Sequence, residues 1–218
     1  MVVPASNRRE RLVRELQSKG IRDERVLRAL REIPRERFVQ EALTGKAYED
    51  TSLPIGEKQT ISQPWIVARM CELTEPDGTG KVLEVGSGSG YHAAVLSRLF
   101  ELVYTVERIR SLSERARTTL RGLRIENVHL KIFDGSYGWS EFAPYRAVVV
   151  TALAPEVPLP LLEQLEDGGR LVLPLSGARE GAQQVLTRII KRGDSIDREE
   201  HGSVKFVPLL GRYGWEAP

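Results

Sequence analysis

Apolar positions recur with a helical period in the first part of the chain. Leu12, Val13 and Leu16 share one face of a segment over 7–19. Val26, Leu30 and Ile33, spaced i, i+4, i+7, share one face of a second over 23–33. Asp23 is placed to cap that second helix and Pro34 to stop it. Arginines occupy the opposite faces with acids interleaved, the pattern of a solvated helical surface. Residues 45–63, GKAYEDTSLPIGEKQTISQ, break the periodicity and read as a long loop of the kind that often carries function. Pro64 then opens a helix that runs to about Leu73.

From Lys81 the pattern changes to short apolar runs alternating with helical segments. Strands are expected at 81–85, 102–106, 128–133, 147–151 and 170–175, with helices over 89–99, 110–121 and 158–165. A βαβα order predicts a parallel sheet covered by helices on both faces. In the tail, 183–191 and 203–210 are β-like and joined by a polar stretch containing Gly193 and Asp194, which suggests an antiparallel pair at the sheet edge. The fold class is therefore α/β, a doubly wound, mostly parallel sheet with antiparallel C-terminal strands. The expected organisation is one domain over 1–218: a helical extension and loop over 1–75, an α/β core over 78–180, and the strand pair over 181–218.

Composition narrows this. The chain has 218 residues, 41% apolar and 28% charged, values of a folded globular protein. Its longest apolar run, around 147–154, falls far short of the ~20 residues that span a bilayer. The opening MVVPASNRRERLV lacks the apolar stretch of a secretion signal. The expectation is a cytoplasmic protein with no membrane partner. A single cysteine, Cys71, excludes an intrachain disulfide and a cysteine-based zinc cluster; on its apolar helix it reads as a small buried residue. No metal is expected. There are 25 Arg against 7 Lys and only 2 Asn and 2 Met, as heat adaptation or a GC-rich genome would each produce. Net charge is +2, and residues 8–37 hold 11 basic and 6 acidic groups, too mixed to predict a nucleic-acid partner.

The sharpest local feature is Val82-Leu83-Glu84-Val85-Gly86-Ser87-Gly88-Ser89-Gly90, a strand running into a G-x-G-x-G turn before a helix. Glycines permit the tight turn and let a ligand approach the main chain. Open α/β sheets bind ligands at the carboxyl ends of their strands. A dinucleotide site reads G-x-G-x-x-G, but three places after Gly88 stands Tyr91. An acid two residues before the first glycine resembles instead motif I of S-adenosylmethionine-dependent methyltransferases. Glu107 ends the second strand, about 20 residues on, placed to accept from both ribose hydroxyls. Asp134-Gly135 ends the third, where a carboxylate can bind the adenine amino group. Glu84, Gly86, Ser87, Gly88, Glu107, Asp134 and Gly135 are the expected cofactor-binding set, with the three acids in one ligand-facing row.

Further motifs narrow the resemblance. In order come Ile33-Pro34-Arg35-Glu36-Arg37-Phe38-Val39, Ala47-Tyr48-Glu49-Asp50, Leu53-Pro54-Ile55-Gly56, Gln59-Thr60-Ile61-Ser62-Gln63-Pro64, the glycine loop, Tyr104-Thr105-Val106-Glu107-Arg108, Ala154-Pro155-Glu156-Val157-Pro158 and Phe206-Val207-Pro208-Leu209. Together they resemble the protein-L-isoaspartate O-methyltransferases, protein-repair enzymes, over roughly 33–215. Phe133 stands where that family commonly has glycine, and His92 where glutamine is frequent. The resemblance implies a Rossmann-like α/β/α sandwich with a rearranged C-terminal strand order. It implies methyl transfer from S-adenosylmethionine to the free carboxylate of an L-isoaspartyl residue, leaving S-adenosylhomocysteine. The methyl ester then closes to a succinimide, whose hydrolysis returns some normal aspartate. By resemblance Ser62 is the active-site serine, with Thr60 and Ile61 lining the substrate pocket. Substrates would be damaged proteins and peptides, and a monomer is the default.

The residues agree with that chemistry. A carboxylate with pKa near ~4 is already ionised at pH 7 and needs no general base. The three histidines, His92, His129 and His201, form no triad or metal motif. A hydroxyl such as that of Ser62 can donate to a carboxylate and aim it; its plain alternative is a turn or cap serine before Pro64. The 203–210 segment is a candidate edge for strand-like peptide binding. Trp65 is a candidate wall of the site, and Trp139 and Trp215 read as packing residues. Three other functions stay open: methylation of a small molecule or RNA, a non-catalytic cofactor-binding module, and hydride transfer, which the glycine spacing disfavours.

Overall fold

The computed structural model describes residues 4–176 and 183–216; Met1–Val3, at the head of the segment read for a secretion signal, and residues 177–182 and 217–218 lie outside that description. Helices α1 (Ala5–Ser18) and α2 (Glu24–Glu32) bury the predicted apolar faces, including Leu12, Val13, Leu16, Val26 and Leu30. The Asp23 carboxylate accepts from the Arg25 N–H at 2.8 Å, the expected cap. Two short 3₁₀ turns follow, Arg35–Phe38 and Glu41–Lys46. The stretch read as one long loop contains a hairpin of β1 (Leu53–Gly56) and β2 (Gln59–Ile61). Its strands are too short to show alternation. Its turn residues, Glu57 and Lys58, sit at φ 53° and 56° without the Asn or Gly that usually marks such a turn. Helix α3 (Pro64–Leu73) has Pro64 in its first turn, as predicted.

The core elements are β3 (Lys81–Val85), α4 (Tyr91–Leu96), β4 (Leu102–Glu107), α5 (Arg110–Gly122), β5 (Val128–Ile132), β6 (Tyr145–Val150), α6 (Leu159–Glu163), β7 (Leu165–Ser176), β8 (Gln184–Arg192) and β9 (Ser195–Val204). They form one seven-stranded sheet in the order β5-β4-β3-β6-β7-β8-β9. The pairs from β5 through β7 are parallel, and β7–β8 and β8–β9 are antiparallel. The fold is Rossmann-like, with its C-terminal strands following in simple sequence order.

Two expectations needed correction. The second tail strand is Ser195–Val204, not 203–210. Its sequence, SIDREEHGSV, is charged and mostly exposed because it is the sheet edge, so no apolar alternation announced it. Charges on an edge strand also discourage pairing with another chain. The helix expected over 89–99 shrinks to six residues in α4.

Strand alternation divides the core. Val82, Val103, Ala147, Val149 and Val172 point to the face covered by α1–α5. Leu83, Val85, Tyr104, Val106, Val148, Val150 and Leu171 point to the face covered by α6. Val148 and Val149 are fully buried on opposite faces. Burying a valine or leucine side chain is worth roughly 1.5–3 kcal/mol, so β6, apolar on both faces, is the central beam.

Candidate active site

The strand order turns back at β3, which has β4 on one side and β6 on the other. Crevices at such points are where open α/β sheets take ligands. The glycine loop leaves β3 there. Gly86 has φ 96°, and a Cβ on it would collide with the Thr151 hydroxyl. That hydroxyl donates to the Gly86 carbonyl at 2.7 Å, so the end of β6 buttresses the loop. The Gly86 N–H donates to the Val106 carbonyl at 2.8 Å.

Glu107 is the acid that the fold aims into the crevice. Its two carboxylate oxygens accept from the Gly88 and Ile109 N–H groups, each at 2.9 Å, strapping the glycine loop to the start of α5. A carboxylate oxygen holds more than one lone pair, so both can still receive a ligand hydroxyl.

Glu84 is not in that row, and Asp134 lies just beyond this cavity's lining, on an adjoining pocket that shares Arg108 and Leu210 with it. Glu84 has the same parity as Val82, so its side chain lies beneath α3 and α4, fully buried and outside the cavity lining. One oxygen accepts from the Thr105 hydroxyl at 2.5 Å, and Thr105 shares a hydrogen bond with Ser87 at 2.7 Å. The other oxygen has no hydrogen-bond partner; the His92 ring Nδ1 stands 3.8 Å away. His92 Nε2 in turn contacts Cys71 Sγ at 3.2 Å. Burial pushes the Glu84 carboxyl up to about 8 and the His92 imidazole down to about 4. Burial also raises the Cys71 thiol well above its ordinary range. These are neutral groups inside the fold.

Asp134 turns toward the tail. One oxygen accepts from the N–H and hydroxyl of Ser136, at 2.9 and 2.7 Å, and the other from the Arg212 N–H at 2.8 Å. It fastens the Gly211–Arg212 turn beside the cavity. Gly135 does line the cavity.

That cavity opens at the carboxyl ends of β3, β4 and β6, where open α/β sheets take ligands. It is walled by the glycine loop, Glu107, Thr60–Ser62 and Pro208–Leu210. A second groove continues from it through Thr60, Ser62, Thr151 and Val207, past Trp65 to Lys205 and Phe206. Ser62 stands where the two meet. Trp65 walls the groove, as expected of a candidate. Trp139 packs in an aromatic cluster with Tyr104 and Phe142, whereas Trp215 is 40% exposed rather than packed.

Asp50 positions the Ser62 loop. Its nearly buried carboxylate accepts from Gln63 Nε2 at 3.0 Å and from the Trp65 N–H at 2.8 Å, and pairs with Lys19 at 2.7 Å. Sequence reasoning quoted Asp50 only as part of a motif. It missed Thr151, and it missed that 207–210 closes the cavity, having assigned that segment to a strand. The signal for Thr151 was its place at the end of the strand beside the glycine loop.

The profile of the protein-L-isoaspartate(D-aspartate) O-methyltransferase family matches residues 7–214. The chain belongs to that family. It is 55% identical over 203 residues to a protein-L-isoaspartate O-methyltransferase of Halorhodospira halophila, covering 93% of this chain and 91% of that one. It is 49% identical over 210 residues to one of Dictyoglomus thermophilum, covering 96% and 94%. A solved protein-L-isoaspartate O-methyltransferase superposes with TM-score 0.86 at 34% identity, over 94% of this chain and 67% of that one. A Plasmodium falciparum structure in complex with S-adenosyl-L-homocysteine shares the fold with TM-score 0.77 at 24% identity, over 93% and 98%.

The residues of this isoaspartate methyltransferase family member suit S-adenosylmethionine. The glycine loop brings its main chain to the cavity wall, and Glu107 offers acceptors beside it. Among the described residues no cluster of three His, Cys, Asp or Glu side chains is arranged as a metal site, and no helix is long and apolar enough to cross a membrane.

Proposed function

We propose that the cavity holds S-adenosylmethionine through Gly86, Ser87, Gly88, Glu107 and Gly135, and that the adjoining groove presents an L-isoaspartyl carboxylate at Ser62. The chemistry that S-adenosylmethionine supplies when bound is a methyl group on a sulfonium sulfur, whose carbon–sulfur bond breaks as a carboxylate oxygen takes the carbon, with no proton transferred. The chain is a protein carboxyl O-methyltransferase acting on damaged proteins. The observation that carries the reading is Ser62 at the junction of cavity and groove.

The protein's part is alignment. The Ser62 hydroxyl donates to the acceptor carboxylate and fixes which oxygen faces the methyl group. Well-oriented reactants gain up to ~7–11 kcal/mol over free encounter. Asp50 holds the loop, and Thr60 and Ile61 wall the site. Apolar lining such as Val85, Val106 and Leu209 excludes water, which strengthens attraction between a carboxylate and a sulfonium. Glu84 serves as a support behind the site, and Asp134 fastens the turn at its rim. The Lys205 carbonyl and Val207 N–H take no hydrogen bond among the described residues, which suits pairing with an extended peptide. In this reading the acting species is a monomer.

Ser62→Ala is expected to cut kcat on an isoaspartyl peptide by about tenfold or more, the scale of one charge-assisted hydrogen bond, while S-adenosylhomocysteine affinity by calorimetry changes less than about threefold. Equal losses in both would remove Ser62 from the reacting carboxylate. Equal methylation of an isoaspartyl peptide and its normal aspartyl twin would overturn the function itself.

A further inference from the structure

Among the described residues the groove beyond Ser62 has one ionisable lining side chain, Lys205; its other described walls are Ser, Thr, Gln and apolar side chains. Lys205 is exposed. No carboxylate among the described residues comes within ion-pair distance of its ammonium. Lys19, behind the opposite wall, is by contrast neutralised by Asp50 and Glu15.

The backbone that carries Lys205 is fixed. The Gln184 side-chain amide accepts from the Phe206 N–H at 2.6 Å and donates to the Phe206 carbonyl at 3.3 Å. The Leu153 N–H donates to the Val207 carbonyl at 2.8 Å. An ammonium with no ion-pair partner among the described residues, on a pinned backbone, therefore stands beside a groove whose described walls carry no other charge. An extended peptide lying there puts its side chains within the ammonium's field, and the alternation of a strand directs every second one to the same side.

We propose that Lys205 is a specificity-determining residue that favours isoaspartyl sequences with Asp or Glu close to the damaged residue. The proposal rests on the groove being the peptide site. Lys205 selects by long-range attraction between its ammonium and the flanking carboxylate. The acceptor carboxylate is Ser62's ligand, not that of Lys205.

The test measures kcat/KM for isoaspartyl peptides carrying Glu or Lys at one or two positions on either side, using wild type, Lys205→Gln and Lys205→Glu. At low salt the wild type is expected to prefer the Glu peptide by about two- to fivefold on at least one side, the size of an exposed ion pair. In about 0.5 M salt the ratio falls toward one. Lys205→Gln abolishes the ratio and Lys205→Glu inverts it. A wild-type ratio of one, a ratio that survives Lys205→Glu, or a loss equal for all peptides in Lys205→Gln overturns the proposal. That last result would put the ammonium on the acceptor. Methylation without flank preference removes the proposal alone; no methylation of any isoaspartyl peptide removes the reading of the groove along with it.

Discussion

Glu84 is a carboxyl group built into an apolar face, and its energetics follow from that. In the unfolded chain a glutamate ionises near pH ~4.3, whereas in the fold burial moves Glu84 up to about 8. Between those values the folded state keeps a proton that the unfolded state has lost, so stability falls as pH rises. His92 works in the opposite sense at lower pH. Held down to about 4 by burial, it costs stability as pH falls from ~6.5 and the unfolded imidazole protonates. Glu84→Gln removes the first dependence only. Its melting temperature relative to wild type is expected to rise steadily from pH 5 to 8, and a flat difference would mean an ionised Glu84. Sequence spacing found the three acids but not their directions. Glu107 ends its strand and meets the crevice. Glu84 lies one residue short of the end of β3, and its parity sends it to the helical face. Asp134 caps the Gly135–Tyr137 turn, and what it binds comes from a segment 78 residues away, which no local pattern reports.

At the scale of elements, the active-site loop is ordered mainly by one side chain. Asp50 caps α3 through the Trp65 N–H and anchors Gln63, either side of Pro64. Asp50→Ala leaves those donors and the Lys19 ammonium without it. It is expected to cost about 1–3 kcal/mol in denaturant unfolding and to lower kcat/KM with S-adenosylhomocysteine affinity far less affected. An equal loss in both would make the loop part of the cofactor cradle instead. The sheet was readable at this scale because each parallel strand is a short apolar run after a turn. The β1–β2 hairpin and β9 were not. One lacks glycine in its turn, and the other is an edge strand whose outward charges hide its period.

The whole molecule has its cysteine at the junction of α3, α4 and the sheet. Cys71 is fully buried, and its thiol is held neutral by burial. The thiolate is the reactive form. Modification by a thiol reagent is therefore expected only through opening of the fold. Labelling should be slow in the native protein, should accelerate in step with denaturant-induced unfolding, and should slow further with S-adenosylhomocysteine. Prompt labelling under native conditions would reveal a local opening around α3. The two-faced core that encloses Cys71 was largely legible, because β6 reads as a continuous apolar run and the first two helices keep a clean period. The closure of the site was not, because it joins residues from the first third of the chain to the segment after β9.

That closure has a consequence for synthesis. Strands β3 to β7 leave the ribosome before Pro208–Leu210, which complete the cavity wall, and before the turn that Asp134 fastens. The α/β layers can collapse while the pocket still lacks a side. Stabilisation by a ligand scales with its affinity for the finished site, so it reaches this chain only after the last segment docks. Folding of the sheet therefore proceeds without help from the small molecule that the folded protein is shaped to hold.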